Sequence, residues 1–195
     1  RWLAPFGLKA QRYVLLVSRL VPEKRHLDLL AAYHQAVQTG GLPGWQLVLV
    51  GAADHADAYA REVSEVAART PGAVMTGFQS GAVLQALLAH AGVFVLPSSH
   101  EGLPIALLEA LSWGIPPLAS DIAPHRELGL PEDSYFPLGN VQALADKLVQ
   151  QAEQVTRHDN LEQRLQRRQQ AARRFDWDES ARLTREVYAR ACITG

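Results

Sequence analysis

The chain has 195 residues, 19 basic and 20 acidic, with a net charge of −1. That length supports one well-cored α/β domain without clear room for a second, and the charge gives no sign of nucleic-acid or membrane binding by bulk electrostatics. One cysteine, Cys192, excludes a disulfide framework and a cysteine zinc site and fits a reducing compartment, and no apolar run approaches the ~18 residues of a membrane span.

Residues 1–10 carry neither a signal-peptide core nor a cleavage pattern, and without an initiator Met the chain reads as a fragment or a processed piece. Residues 13–18 (YVLLVS) are a short apolar run, expected to be a buried strand. Over residues 23–38 apolar positions recur at helical spacing (Leu27, Leu30, Ala31, Tyr33, Ala36, Val37), with Pro22 at the start. After Gly40, Gly41, Pro43 and Gly44, residues 45–51 (WQLVLVG) read as a second strand. A helix is predicted over 56–69, a short strand over 73–76 ending at Gly77, and a helix over 81–91. Residues 93–97 read as a strand, 104–113 as a helix, 117–120 as a strand and 124–128 as a brief turn or helix. An edge strand over 135–138 and a helix over 141–153 complete the pattern. Strands and helices alternate roughly every 25 residues, which predicts a parallel sheet with right-handed crossovers. From Thr156 onward the chain turns polar, with nine arginines and six acidic residues. Its apolar positions, Leu161, Leu165, Ala172, Phe175, Leu183, Val187 and Tyr188, predict solvated helices packed by one stripe. The alternative is that Trp177 and its helix cross to another domain.

The most informative stretch is 98–121, SSHEGLPIALLEALSWGIPPLASD. It sets Glu101 in a loop and Glu109, eight positions on, inside the helix that begins near Pro104. The layout aims the free N–H groups of that helix at the space above the preceding strand, the crevice in which open α/β sheets bind ligands. Gly102 permits close backbone approach, and the N–H groups of Leu103 and Ile105 open the helix, Pro104 having none. Without a ligand, Glu101 would be an acid favoured by the helix dipole and Glu109 a surface helix residue. Arg19 and Lys24 flank the loop after the first strand and suit a phosphate; the plain alternative is two solvated cations, with Lys24 pairing Glu23 or Asp28. No GxGxxG, GxxxxGK[ST] or GxSxG motif is present. His100 and His125 lack a third zinc ligand and read as surface or polar-loop residues. Ser98 and Ser99 would bond a phosphate or cap the turn. Trp113, Trp45 and Phe94 read as packing residues; Phe78, after Gly77 at a strand end, is placed for a flat ligand.

Together VSRLVPEK, VMTGFQS, VFVLPSSHEGLPIALLEALSWGIPPLASD and FDWDESARLTREVY resemble the C-terminal domain of retaining glycosyltransferases of family 4, also called group 1, over residues 13–188. The resemblance implies a Rossmann-like three-layer sandwich with a parallel sheet, the C-terminal half of a GT-B enzyme, with a helical tail. By that likeness 1–12 is a linker remnant and 13–155 the nucleotide-sugar-binding domain. Residues 156–195 are then helices that pack on it and cross to an N-terminal acceptor domain in a protein about twice as long. It further implies that Arg19 and Lys24 stabilise the leaving diphosphate and Glu101 faces the donor sugar. Ser98 and the Gly102, Leu103, Pro104 and Ile105 segment would lie near sugar and phosphate. Glu109 would bind the ribose, and Gly77 and Phe78 would lie by the base. The donor would be a UDP- or GDP-hexose, used in glycan, lipopolysaccharide or capsule biosynthesis. No metal or other cofactor is implied, since cationic side chains and a helix terminus take over stabilisation of the leaving group. No nucleic acid is expected as a partner. A cytoplasmic setting, peripheral at the inner membrane face through the other half, also follows.

Several residues depart from the family pattern. Ser18 stands where glycine often precedes the arginine, Arg25 and His26 follow Lys24 in place of glycine, and EGLP replaces EGFG, removing one N–H donor. SDIAPHREL replaces a glycine-richer loop. Two other readings stay open on the same architecture: a GT-B nucleotide-sugar epimerase, and a non-catalytic doubly wound binding domain.

Overall fold

A computed structural model describes residues 1–55 and 57–193, with the backbone alone for 177, 180 and 190–193. The side chains of Trp177 and Cys192, and all of Ala56, therefore lie outside the described residues. Six strands, β1 (Tyr13–Val17), β2 (Gln46–Val50), β3 (Ala73–Gly77), β4 (Val93–Leu96), β5 (Pro117–Ser120) and β6 (Tyr135–Phe136), form one sheet in the order β3-β2-β1-β4-β5-β6. Every pairing is parallel, with Leu15 beside both Val48 and Phe94. Tyr13, Val14, Leu15, Leu16 and Val93–Leu96 are almost wholly buried, as continuous apolar strands covered on both faces must be.

The helices are α1 (His26–Gln38), α2 (Ala58–Arg69), α3 (Gly81–His90), α4 (Ile105–Ser112), α5 (Ala123–Glu127), α6 (Val141–His158), α7 (Leu161–Arg174) and α8 (Trp177–Ile193). Strand order reverses between β1 and β4. Right-handed crossovers leaving these neighbours in opposite directions put α1 and α4 on opposite faces, both helices starting above the carboxyl edge of the sheet. α6 packs on α1, and α7 on α4. At that edge Gly51 has φ +140° and a Cβ there would lie 1.8 Å from the Ser18 carbonyl oxygen, so only glycine fits.

Three boundaries differ from expectation. The helix predicted from residue 23 is a separate 3-10 turn, Pro22–Lys24, followed by Arg25 at φ +51° and then α1. Lys24 and Arg25 donate to the Val21 and Pro22 carbonyls instead of joining the helix. The helix predicted to end at residue 153 runs to His158 because Ala152 and Val155 continue its buried stripe. The edge strand is two residues long, since Pro137 has no N–H to carry the ladder on.

The polar tail docks chiefly through arginines, not one apolar stripe. Arg164 is nearly buried and donates to the carbonyls of Ala89 (3.1 Å) and Ala91 (2.5 Å) at the end of α3. Arg167 and Arg168 donate to Gly114 and Ser112 at the end of α4. Carbonyls at a helix C-terminus lack intrahelical partners and carry partial negative charge, so guanidinium groups suit them. Asp159 accepts from Arg167, lies 3.6 Å from Arg164, and offsets part of the cluster's charge. On α8, Leu183, Val187 and Tyr188 are exposed. Among the described residues no helix is long and apolar enough to cross a membrane.

Candidate functional site

The loops after β1 and β4, residues 18–25 and 97–104, meet above the reversal of strand order. Lys24 Nζ donates to Glu101 Oε1 at 2.6 Å, and both side chains are largely buried, 18% and 8% exposed. The Ser99 N–H reaches the Glu23 carbonyl at 2.8 Å, a second tie between the loops. A pair this buried is held by low dielectric as well as geometry, so loss of either partner strands a charge. Arg19 Nη1 meets Asp54 Oδ2 at 2.9 Å, but both side chains are more than 60% exposed (62% and 64%), which makes that pair weak. Lys24 therefore pairs with neither Glu23 nor Asp28; Asp28 takes Arg25.

The helix beside Arg19 and Lys24 has its first N–H already taken by a side chain. The Tyr59 hydroxyl accepts the His26 N–H at 3.0 Å. His26 is buried, with Nε2 3.0 Å from Ser18 Oγ and Nδ1 3.3 Å from Tyr59 Oη. Burial, then the nearby Lys24 charge, pulls its pKa down to about 4, so the ring is neutral. α4 is the open end. Gly102, Leu103 and Ala106 N–H groups meet no acceptor among the described residues, whereas Ile105 N–H is taken by the Leu103 carbonyl at 2.9 Å. A Cβ on Gly102 would touch nothing within 4 Å, so the protein itself does not demand glycine there, and its backbone faces open space.

The remaining expected residues divide by burial. Glu109 is exposed and lines a groove of about 1070 Å³ with Leu103, Ile105 and Leu108, closed on the far side by Leu165 and Arg168 of α7. Phe78 is 73% exposed beside Gly77, which has φ +70°. The Ser98 side chain, by contrast, is 0% exposed, and its hydroxyl is buried without a partner among the described residues. Pro104 is buried too, and its carbonyl serves Leu107 and Leu108. The expected Ile105 N–H donor gives way to Ala106. His125 is likewise no surface residue: it is fully buried, and Nδ1 lies 2.8 Å from the Ser120 carbonyl. Tyr59 and Asp54 went unnoticed because nothing local ties the β2–α2 segment to the loop after β1, and the burial of His26 beside Tyr59 was hidden for the same reason. Among the described residues no cluster of three or more His, Cys, Asp or Glu is placed to hold a metal.

Comparison with known proteins gives the family and the fold. Residues 11–154 match the family model described as glycosyl transferases group 1. A UDP-Gal:alpha-D-GlcNAc-diphosphoundecaprenol alpha-1,3-galactosyltransferase of Escherichia coli is 30% identical over 117 residues, 60% of this chain and 30% of that protein. A GDP-mannose-dependent alpha-mannosyltransferase of Mycolicibacterium smegmatis is 36% identical over 117 residues, 59% of this chain and 27% of the relative. The matched stretch thus takes in less than a third of either relative's length. Among solved structures, Anabaena HepE in complex with UDP superposes with a TM-score of 0.81 at 22% identity, over 96% of this chain and 51% of that one. The catalytic domain of the Helicobacter pylori cholesterol-alpha-glucosyltransferase gives 0.70 at 22% identity, over 84% of this chain and 98% of that one. At these identities the superpositions speak to the fold.

Proposed function

The chain belongs to the group 1 glycosyl transferases, and we propose that it is the donor-binding half of a retaining, metal-independent hexosyltransferase. The Lys24–Glu101 pair carries this reading. It fixes a cation and a carboxylate together at the switch point, beside the free N–H groups of Gly102, Leu103 and Ala106. Lys24 has three N–H donors and can hold Glu101 and a phosphate oxygen at once. Arg19 is released from its exposed Asp54 contact at little cost and clamps the diphosphate as negative charge develops on departure of the sugar. Glu101 accepts sugar hydroxyls while Glu109 accepts from the ribose. Phe78 offers an exposed aromatic face to the base.

The donor is a UDP- or GDP-hexose, consistent with the donors in the relatives' names. The acceptor binds the other domain of the full-length protein, onto which α8 crosses, and any membrane contact is made there. The route belongs to glycan, lipopolysaccharide or capsule assembly, the setting of a cytoplasmic donor pool. The test is donor hydrolysis by the full-length enzyme in EDTA, with the anomer released followed by proton NMR before mutarotation. Release of the α sugar from UDP-glucose or GDP-mannose upholds the proposal. The β sugar contradicts retention, and activity only after metal is restored contradicts metal independence.

A further inference from the structure

His125 is a buried imidazole that the proposed chemistry does not use. Its ring is 0% exposed, as are Ser98 and Ser120. Its Nδ1 lies 2.8 Å from the Ser120 carbonyl oxygen, which only accepts, so the proton sits on Nδ1. The Ser120 hydroxyl in turn donates to the Ser98 carbonyl at 2.5 Å, tying the end of β5 to the loop after β4. Ser98 stands three residues before Glu101. The Nε2 atom of His125 and the Ser98 hydroxyl are both buried without a partner among the described residues. Such groups cost stability that an apolar residue of similar size would not. Burial lowers the His125 pKa most; the Ser120 backbone bond and Glu101 raise it, and Lys24 lowers it, so the ring lies within electrostatic reach of the ion pair.

We infer that His125 is a positioning residue for Glu101, acting through Ser120 and Ser98 to hold the loop after β4 where Glu101 meets both Lys24 and the donor sugar. The inference rests on the reading of Glu101 given above. One end of the loop is fixed from the β1 side, by Lys24 and by the Glu23 carbonyl. The relay from His125 fixes it from the β5 side, so Glu101 is clamped between the two strands that flank β4. Imidazole supplies what an aliphatic side chain cannot, an N–H directed at the Ser120 carbonyl in a dry site.

The variants His125→Leu and His125→Asn separate positioning from packing, because asparagine keeps an N–H near the place of Nδ1. Affinity of this chain is measured for UDP and UDP-glucose, and for GDP and GDP-mannose. His125→Leu is expected to weaken the nucleotide sugar about tenfold more than the bare nucleotide, and His125→Asn to restore most of that difference. In a Glu101→Gln background the same leucine change is expected to cost nothing more, since residues acting as a unit are non-additive. Equal losses for sugar and nucleotide, or full additivity with Glu101→Gln, overturn the inference. If neither nucleotide pair binds the wild type, the donor-site reading fails, and the carboxyl carbon resonance of Glu101 decides the role of His125. A titration midpoint that moves in His125→Leu while that of Glu109 stays still upholds it, and an unmoved Glu101 overturns it.

Discussion

Lys24 and Glu101, 77 positions apart in the chain, meet at 2.6 Å across the point where the strand order reverses. Each comes from a loop fed by a central strand, and each is largely shielded from solvent. Their pairing is at once a fold contact and the core of the proposed site.

Removing one partner leaves the other as a poorly solvated charge. Lys24→Ala and Glu101→Ala are each expected to destabilise the chain by about 3 kcal/mol. The double variant is expected to lose clearly less than the sum of the two. Urea unfolding of all four proteins measures this, and additive losses would show that the pair does not couple.

Gly51 packs its backbone against the Ser18 carbonyl, just before Arg19. A methyl group there has no room, and φ +140° is foreign to an L side chain. Gly51→Ala is expected to cost about 3 kcal/mol through overpacking and backbone strain. A melting temperature equal to wild type would contradict the close approach.

Stability should fall in mild acid. His26 and His125 both titrate below the ordinary histidine value of 6.5 because burial disfavours the imidazolium. The unfolded chain then binds more protons than the folded one between the two values. The contribution is present above pH 6.5 and is lost as the pH falls through that value toward the folded value of about 4 for His26. For His26 the full loss is about 3 kcal/mol. Urea midpoints at a series of pH values check this, and His26→Gln is expected to flatten the curve; an unchanged slope would exclude His26 as its source.

Arg164 is expected to be the anchor of the tail. Arg164→Ala frees the carbonyls of Ala89 and Ala91 and takes one cation from Asp159. A loss of about 3 kcal/mol and faster amide exchange along α7 should follow, with little rescue by Arg164→Lys, because lysine lacks the planar fork. Full rescue by lysine would show that charge alone is needed.

The fold was legible because strands covered on both faces are unbroken apolar runs, such as YVLLV and VFVL, and the helices between them repeat at 3.6 residues. Glu101 and Lys24 were legible one at a time as charges at strand ends, but their pairing was not, since no local spacing joins residues 77 apart. The burial of the Ser98 side chain was not legible, since nothing in a run of polar loop residues marks which hydroxyl turns inward. Tyr59 carried no signal at all, as a tyrosine at the second position of a helix gives no hint that it caps another helix. The arginines of the tail read as part of a solvated face, yet Arg164, Arg167 and Arg168 each meet a backbone carbonyl.

The central claim is that this chain holds a nucleoside diphosphate at the Lys24–Glu101 switch point without a metal. Calorimetric titration with UDP, GDP and ADP, beside UMP, in EDTA tests it most directly. The account predicts selective binding of one diphosphate, at least about tenfold tighter than its monophosphate and reduced toward it by Lys24→Ala, a gap of about 1.4 kcal/mol. Equal affinity for mono- and diphosphate, or no binding of any nucleotide, would contradict it.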